Sequence, residues 1–271
     1  MQLRFYQQEA YDAAIASLEA EHHPVLQLAT GTGKSLIIAA LAEHYRQTDR
    51  RVWVLTHVQQ LVEQNAATYE RYSGVAPGIV CAGLKRKDRE EVVTFGTIQT
   101  MLNVQVEMKP PHLIIIDEAH RVPHNRGERS LYESVLSRYR SAGRVAMTAT
   151  PWRMDNGVIH GEGDQFWFDQ LAYSYTVPRA VEDGYLCPLV GVETTVQLDL
   201  EGVVWLRAVA RSLPELTAAR KHIAVYCPTI DAAERAAEVI AVETGWVTDV
   251  MAGTITRDER SDSLRRFKSG E

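Results

Sequence analysis

The sequence predicts an α/β fold in which mostly parallel sheets are flanked by helices, arranged as two lobes of which the second is incomplete. Three observations predict it. Short apolar runs alternate with amphipathic helical stretches, a glycine-rich turn lies between one such run and a helix, and another apolar run ends in two acidic residues. Runs that are apolar throughout, each followed by a helix, indicate strands buried on both faces, which is the habit of parallel sheets.

Taken in order, residues 25–28 are expected to form a strand, followed by a Gly-rich turn and a helix over 34–45. A strand at 52–55 and a helix at 59–72 come next, then strands at 78–81, 92–95, 113–116 and 145–148. These elements make residues 1–172 one lobe. Residues 153–163 are polar and Gly-rich and read as a surface loop. The pattern then loosens over 173–202, where Pro178, Gly184 and Pro188 interrupt it and 192–198 alternates like a strand. That segment is expected to bridge two lobes. A second series opens at 203, with helices at 203–219, 230–244 and 257–268 and strands at 223–227 and 246–251. Two strand–helix units are too few for a lobe of the first one's size, so 203–271 reads as a partial lobe.

Composition narrows the class. At 271 residues, 45% hydrophobic and 24% charged, the chain has the make-up of an ordinary globular protein with a sizeable core. No run approaches the roughly 18 apolar residues of a membrane span, and the N-terminus lacks the apolar core of a signal peptide. A cytoplasmic location and no membrane contact are expected. Cys81, Cys187 and Cys227 lie far apart, which gives neither a disulfide framework nor zinc-site spacing. Cys81 and Cys227 end apolar runs and read as buried thiols. A net charge of −6 argues against coating nucleic acid by bulk attraction, but phosphate contacts need only a local patch.

The chemistry sits at two places. Ala29-Thr30-Gly31-Thr32-Gly33-Lys34-Ser35 falls between a strand and a helix, the setting of a phosphate-binding loop. Its glycines let backbone N–H groups wrap phosphates, the helix N-terminus adds a favourable dipole, Lys34 adds positive charge, and Ser35 offers a hydroxyl to Mg2+. The strict pattern places a glycine at position 28, where this chain has Leu28. The second place is Leu113-Ile114-Ile115-Ile116-Asp117-Glu118-Ala119-His120. A strand ending in two acids puts Asp117 at the sheet edge, where it can hold Mg2+, and lets Glu118 orient and deprotonate a water. The plainer reading of that pair is a strand followed by an ordinary acidic helix cap, against which the phosphate-binding loop upstream argues.

These residues, followed by Thr148-Ala149-Thr150-Pro151, resemble the superfamily 2 DEAH-box helicases and ATPases. The other elements fall in that family's order: Arg4-Phe5-Tyr6-Gln7, Leu55-Thr56-His57 with Gln60-Leu61-Val62-Glu63-Gln64, Gly96-Thr97-Ile98-Gln99-Thr100, and Ala224-Val225-Tyr226-Cys227. Within the superfamily, 56–65, Ala82-Gly83-Leu84-Lys85-Arg86-Lys87 and Asp183-Gly184-Tyr185-Leu186 are most similar to the RadD-type bacterial DNA-repair ATPases, near the restriction-enzyme and UvrB-like motors. The resemblance implies a P-loop NTPase with tandem RecA-like lobes and ATP with Mg2+ as cofactors. It implies nucleotide contact by Arg4, Gln7, Thr30, Gly31, Thr32, Gly33, Lys34 and Ser35, with Gln7 on the adenine. Metal contact falls to Ser35 and Asp117, catalysis to Glu118 with Lys34 and Asp117, and coupling between sites to His120, Thr148 and Thr150. Against these stand plainer readings: Gln7 as an exposed helix residue, His120 as a packed histidine, Thr148 and Thr150 as β-branched strand residues.

Nucleic acid is the implied partner, gripped without base readout by Thr56, His57 and Thr97 at strand ends. Lys85 and Arg86 in the run 85–89 read equally as backbone contacts or as a solvated loop. DNA, in repair or recombination, is implied by the family alone, as is a monomeric motor. The family's motif V and the arginines of its motif VI are not found after 251, and an arginine reaching across to the γ-phosphate is worth about 10³–10⁵ in rate. The chain alone is therefore expected to bind nucleotide and hydrolyse it weakly. The rival functions are the translocase motor of a restriction system, a nucleotide-gated adaptor that binds DNA or protein without turnover, and, more distantly, a small-molecule kinase.

Overall fold

The computed structural model describes residues 1–123, 126–153, 157–188, 203–217, 222–253 and 255–270. The described chain falls into two units, Met1–Val190 and Gly191–Glu271.

The first unit is built from α1 (Phe5–Glu19), β1 (Pro24–Leu28), α2 (Lys34–Gln47), β2 (Val52–Thr56), α3 (Gln59–Ser73), β3 (Gly78–Cys81), β4 (Arg86–Lys87) and β5 (Val93–Thr97). It continues through α4 (Ile98–Val104), β6 (Leu113–Asp117), α5 (Leu131–Leu136), β7 (Gly143–Thr148), β8 (Trp152–Arg153), β9 (Gly157–Val158), β10 (Gln170–Tyr175) and α6 (Val177–Glu182). Eight strands form one sheet in the order β10-β1-β7-β6-β2-β5-β3-β4. Every neighbouring pair in it is parallel except β3 with β4. The expected parallel α/β sheet is present.

Its central strands bury both faces. Val54 and Ile115 point into one core with Tyr6, Ile38, Val62 and Ala180, so α1, α2, α3 and α6 cover that face. Trp53, Leu55, Ile114 and Ile116 point the other way, against Met101, Val104, Tyr132 and Val135 of α4 and α5. This period-two division with apolar residues on both sides is why 52–55 and 113–116 carry no polar alternation.

Two features of the unit were not foreseen. Residues 170–175, the last three of which the sequence pattern assigns to the opening of the bridge, form β10 and pair with β1 along its length. Part of the polar stretch 153–163, expected as a loop, forms the short antiparallel hairpin β8–β9. The strand expected at 192–198 and the end of the bridge lie outside the described residues.

The second unit contains α7 (Val203–Leu216), α8 (Ile230–Thr244) and α9 (Arg257–Ser269). Ala210 of α7 and Ala236 and Ile240 of α8 form a small core, with Cys227 and Trp246 against it. The strands expected at 223–227 and 246–251 are corrected: both stretches run without strand pairing. A strand exists only through hydrogen bonds to a neighbour, and among the described residues of this unit neither stretch has one. Tyr226 is 95% and Val247 78% exposed, so the apolar composition that suggested strands is not matched by burial. α9 opens on a reciprocal cap in which Thr256 and Glu259 satisfy each other's backbone N–H groups. Cys81 is buried, as its position after an apolar run suggested, whereas Cys227 is half-buried and Cys187 exposed.

Candidate nucleotide and nucleic-acid site

The carboxyl ends of β1, β7 and β6 lie side by side, because β7 sits between the other two. Gln27 of β1 is level with Thr148 of β7, and Met147 of β7 with Asp117 of β6. Parallel strands thus deliver the glycine-rich loop, Thr148 and the Asp117–Glu118 pair to one edge, as open α/β sheets do for ligands.

The loop after β1 is tightly built. Gly31 and Gly33 have φ of +88° and +80°, values glycine adopts without strain. Thr32 Oγ1 donates to Ala29 O at 2.6 Å and pulls the turn closed. α2 starts at Lys34 with Gly33 as its cap residue, and the first N–H groups of a helix have no acceptor within it. Lys34 Nζ donates to Leu28 O at 3.3 Å, a neutral partner for a charged group. The N-terminal segment is clamped onto this loop. Tyr6 Oη donates to Thr32 O at 2.8 Å, and Gln7 Nε2 donates to Thr32 O at 3.0 Å and to Gly33 O at 3.4 Å. Gln7 is buried, which corrects its plainer reading as an exposed helix residue. Tyr6 stacks on Tyr175 of β10 with ring centres 4.2 Å apart, and the Arg4 guanidinium lies over the Tyr185 ring. Leu186 packs against the position a side chain at Gly31 would need. Beside the loop opens a cavity of about 430 Å³ lined by Arg4, Gln7, Gly31, Gly33, Ser35 and Gln64, among others, within the usual range of about 300–1,000 Å³ for small-molecule sites.

At the end of β6 the Asp117 carboxylate is buried and accepts two hydrogen bonds, from Asn65 Nδ2 at 2.8 Å and from Glu118 N at 3.0 Å. Glu118 has φ +53° without being glycine. Such backbone costs about 1–3 kcal/mol and collects at functional sites. The turn aims its half-buried carboxylate at His120, with Nδ1 3.3 Å from Glu118 Oε2. The same Nδ1 lies 3.3 Å from Thr148 Oγ1, which bonds the backbone O and N of Thr150. Glu118, His120, Thr148 and Thr150 therefore form one connected chain.

The residues expected to meet nucleic acid lie at the ends of β2, the neighbour of β6, and of β5 beyond it. Thr56 is buried and its Oγ1 accepts from Val58 N at 3.5 Å. Thr97 is buried and donates to Thr100 Oγ1 at 2.9 Å. Burial lowers the pKa of His57, with Arg121 and His120 pushing the same way and Asp117 opposing them. Lys85 and Arg86 sit apart on the β3–β4 turn, and Arg86 is paired with Asp88. Two residues that the sequence places in a family-like segment, with no role of their own, stand out here. Asn65 holds Asp117, and Gln64 reaches Ser35 Oγ at 3.4 Å; no local signal in an amphipathic helix distinguishes them.

The residues suit a nucleotide triphosphate with a divalent cation. Orphan helix N–H groups, a lysine whose partner among the described residues is a single carbonyl, a hydroxyl at Ser35 and the carboxylate at Asp117 are complementary donors and ligands. Among the described residues no group of three or more His, Cys, Asp or Glu forms a metal cluster, and Mg2+ needs none when phosphates and water complete its shell. No helix among them is long and apolar enough to cross a membrane.

Comparison with known proteins places the chain in a family. Residues 1–153 match the family model described as Type III restriction enzyme, res subunit. The chain is 27% identical over 164 residues to a 51.5 kDa protein of a Lactococcus phage (isolate 7-9), covering 60% of this chain and 31% of that one. It is 25% identical over 210 residues to the Type I restriction enzyme EcoAI endonuclease subunit of Escherichia coli, covering 73% and 25% respectively. It spans a third or less of either relative. Among solved structures, the ATP-dependent Type ISP restriction-modification enzyme LlaBIII bound to DNA aligns with a TM-score of 0.60 at 15% identity, over 90% of this chain and 22% of that one. That likeness shows a shared fold.

Proposed function

The chain belongs to the family of the Type III restriction enzyme res subunit, and from that premise we propose that it is the nucleotide-binding part of an ATP-dependent, DNA-directed motor. The observation that carries the reading is the edge at which the phosphate loop, Thr148 and the Asp117–Glu118 pair adjoin. In this reading residues 1–172 are the first motor lobe, 203–271 part of a second, and 173–202 the bridge.

Gln7 contacts the adenine from the cavity beside the loop, Arg4 adds a further nucleotide contact, and Thr30 to Lys34 hold the phosphates. Ser35 and Asp117 would hold Mg2+ together with ATP, and the ion would supply charge neutralisation at the phosphates. Glu118 takes the proton of the attacking water on its carboxylate. His120, 3.3 Å from that carboxylate and from Thr148 Oγ1, ties its position to Thr150, so movement of the 148–150 segment alters the base. His57, the half-buried one of the three, meets a sugar–phosphate backbone without reading bases, and the buried Thr56 and Thr97 shape the strand ends behind it. Lys85 and Arg86 add charge at the β3–β4 turn, apart from those residues, with Arg86 shared with Asp88.

DNA is favoured by the relatives' printed descriptions, as restriction enzymes and as an enzyme bound to DNA. These also favour translocation for a restriction system. A second reading, a RadD-type motor in repair or recombination acting as a cytoplasmic monomer, rests on the likeness of 56–65, 82–87 and 183–186.

The test is ATP turnover by this chain without DNA, with a single strand and with duplex. DNA-stimulated turnover is expected, however low the basal rate. Absent ATP binding, or turnover that DNA does not change, contradicts the motor, and tight binding with no turnover on any DNA points to a nucleotide-gated adaptor.

A further inference from the structure

The helix that begins at the expected nucleic-acid segment also holds both expected metal ligands. α3 starts at Gln59, directly after Thr56-His57-Val58, and Thr56 Oγ1 accepts from Val58 N at its cap. One and a half turns further along, consecutive residues reach the two ligands: Gln64 Nε2 lies 3.4 Å from Ser35 Oγ, and Asn65 Nδ2 donates to Asp117 Oδ2 at 2.8 Å. Thr68, one turn beyond Gln64, lines the same cavity and bonds Gln64 O at 2.8 Å.

Asn65 is the stronger of the two contacts. It is 1% exposed, and a carboxylate can only accept, so its NH2 group must face Asp117. Among the described residues its Oδ1 is left buried without a partner, and an unsatisfied polar atom in a native core calls for an explanation. The amide thus turns a donor to the carboxylate and leaves a buried acceptor beside it, a pairing that apolar packing does not require.

We propose that Asn65 is a positioning residue for Asp117, through which α3 carries occupancy of the nucleic-acid segment at its N-terminus to the metal site. The proposal rests on the reading of Asp117 and Ser35 as metal ligands. A rigid helix joins the two places, so a shift of its N-terminal turn when a phosphate backbone binds at 56–58 moves Asn65 and alters the carboxylate's aim. Partners that orient a metal ligand typically cost about 10–100-fold in metal affinity when removed.

The experiment titrates Mn2+ into the full chain in the presence of a fluorescent, non-hydrolysable ATP analogue, with and without an oligothymidylate strand. Affinity for the analogue in EDTA and the melting temperature are measured in parallel. For Asn65→Ala the Mn2+ concentration giving half-maximal binding is expected to rise about 10–100-fold, with metal-free affinity unchanged. Asn65→Ser, which keeps a shorter donor, is expected to fall between the two and carries the test if the alanine variant does not fold. In the wild type the strand lowers the Mn2+ requirement, and in Asn65→Ala it does not. An unchanged Mn2+ requirement, an equal loss of metal-free affinity, or a strand effect that survives in Asn65→Ala overturns the proposal while leaving the site's reading intact. Failure of the wild type to show any Mn2+-dependent binding overturns both.

Discussion

Glu118→Gln lowers ATP turnover by about 10²–10⁴, the range a positioned general base contributes, and leaves nucleotide affinity near that of the wild type. The two side chains have the same shape, so the turn at φ +53° is as strained in one as in the other and the fold is not perturbed. What changes is the proton acceptor. The carboxylate that faces His120 at 3.3 Å becomes an amide with no capacity to take a proton from water. Asp117, with its own hydrogen bonds from Asn65 and from Glu118 N, keeps its place, because the second of those bonds comes from backbone. Steady-state turnover with saturating DNA, paired with binding of a non-hydrolysable analogue, separates the two effects. Turnover within about tenfold of wild type removes Glu118 from the base role.

Ile115→Ala destabilises the first unit by about 2–5 kcal/mol, the range for removing a fully buried branched side chain. Ile115 is 0% exposed in β6, between Val54 of β2 and Val145 of β7, and it belongs to the core shared with α1, α2 and α3. No neighbour can collapse into the space, since strands are fixed by their ladders on both sides. The cost appears as a lower denaturant midpoint with little change of slope. Because β6 carries Asp117 at its end, a loss of nucleotide binding in this variant should track unfolding, not precede it. A midpoint shift worth under about 1 kcal/mol would mean that β6 is not the central packed strand described here.

Much of the fold was legible because the sequence marks it locally. Residues 52–55 and 113–116 are apolar on both faces, and the parallel sheet follows from that. The phosphate loop is legible because Gly31 and Gly33 are needed where φ is positive, a requirement a sequence shows directly. β10 was not legible. Gln170-Leu171-Ala172-Tyr173-Ser174-Tyr175 is mostly exposed or half-buried along its length, as an edge strand is, and lacks the continuous apolar run that marks a central one. The strands expected at 223–227 and 246–251 failed for the converse reason: their composition is strand-like, but pairing is a property of neighbours, not of composition. The site divides in the same way. Lys34, Ser35, Asp117 and Glu118 sit in motifs, whereas Asn65 is recognisable only once the fold brings it to Asp117 across 52 positions of chain. The basic run at 85–89 shows the limit of counting charge, since Arg86 is taken up by Asp88 and Arg89 by Glu107.

The most direct measurement of the central claim, that the ends of β1 and β6 form one metal–nucleotide site, is equilibrium binding of a fluorescent ATP analogue to the chain and to Lys34→Ala, each with Mg2+ and with EDTA. Lys34 Nζ rests on a single neutral carbonyl at 3.3 Å, and a charge-assisted bond to phosphate is worth about 1.5–3 kcal/mol. Mg2+-strengthened binding by the wild type, weakened about 10–150-fold in Lys34→Ala, is the predicted result. Binding that ignores both Mg2+ and the loss of Lys34, or no binding at all, contradicts the account.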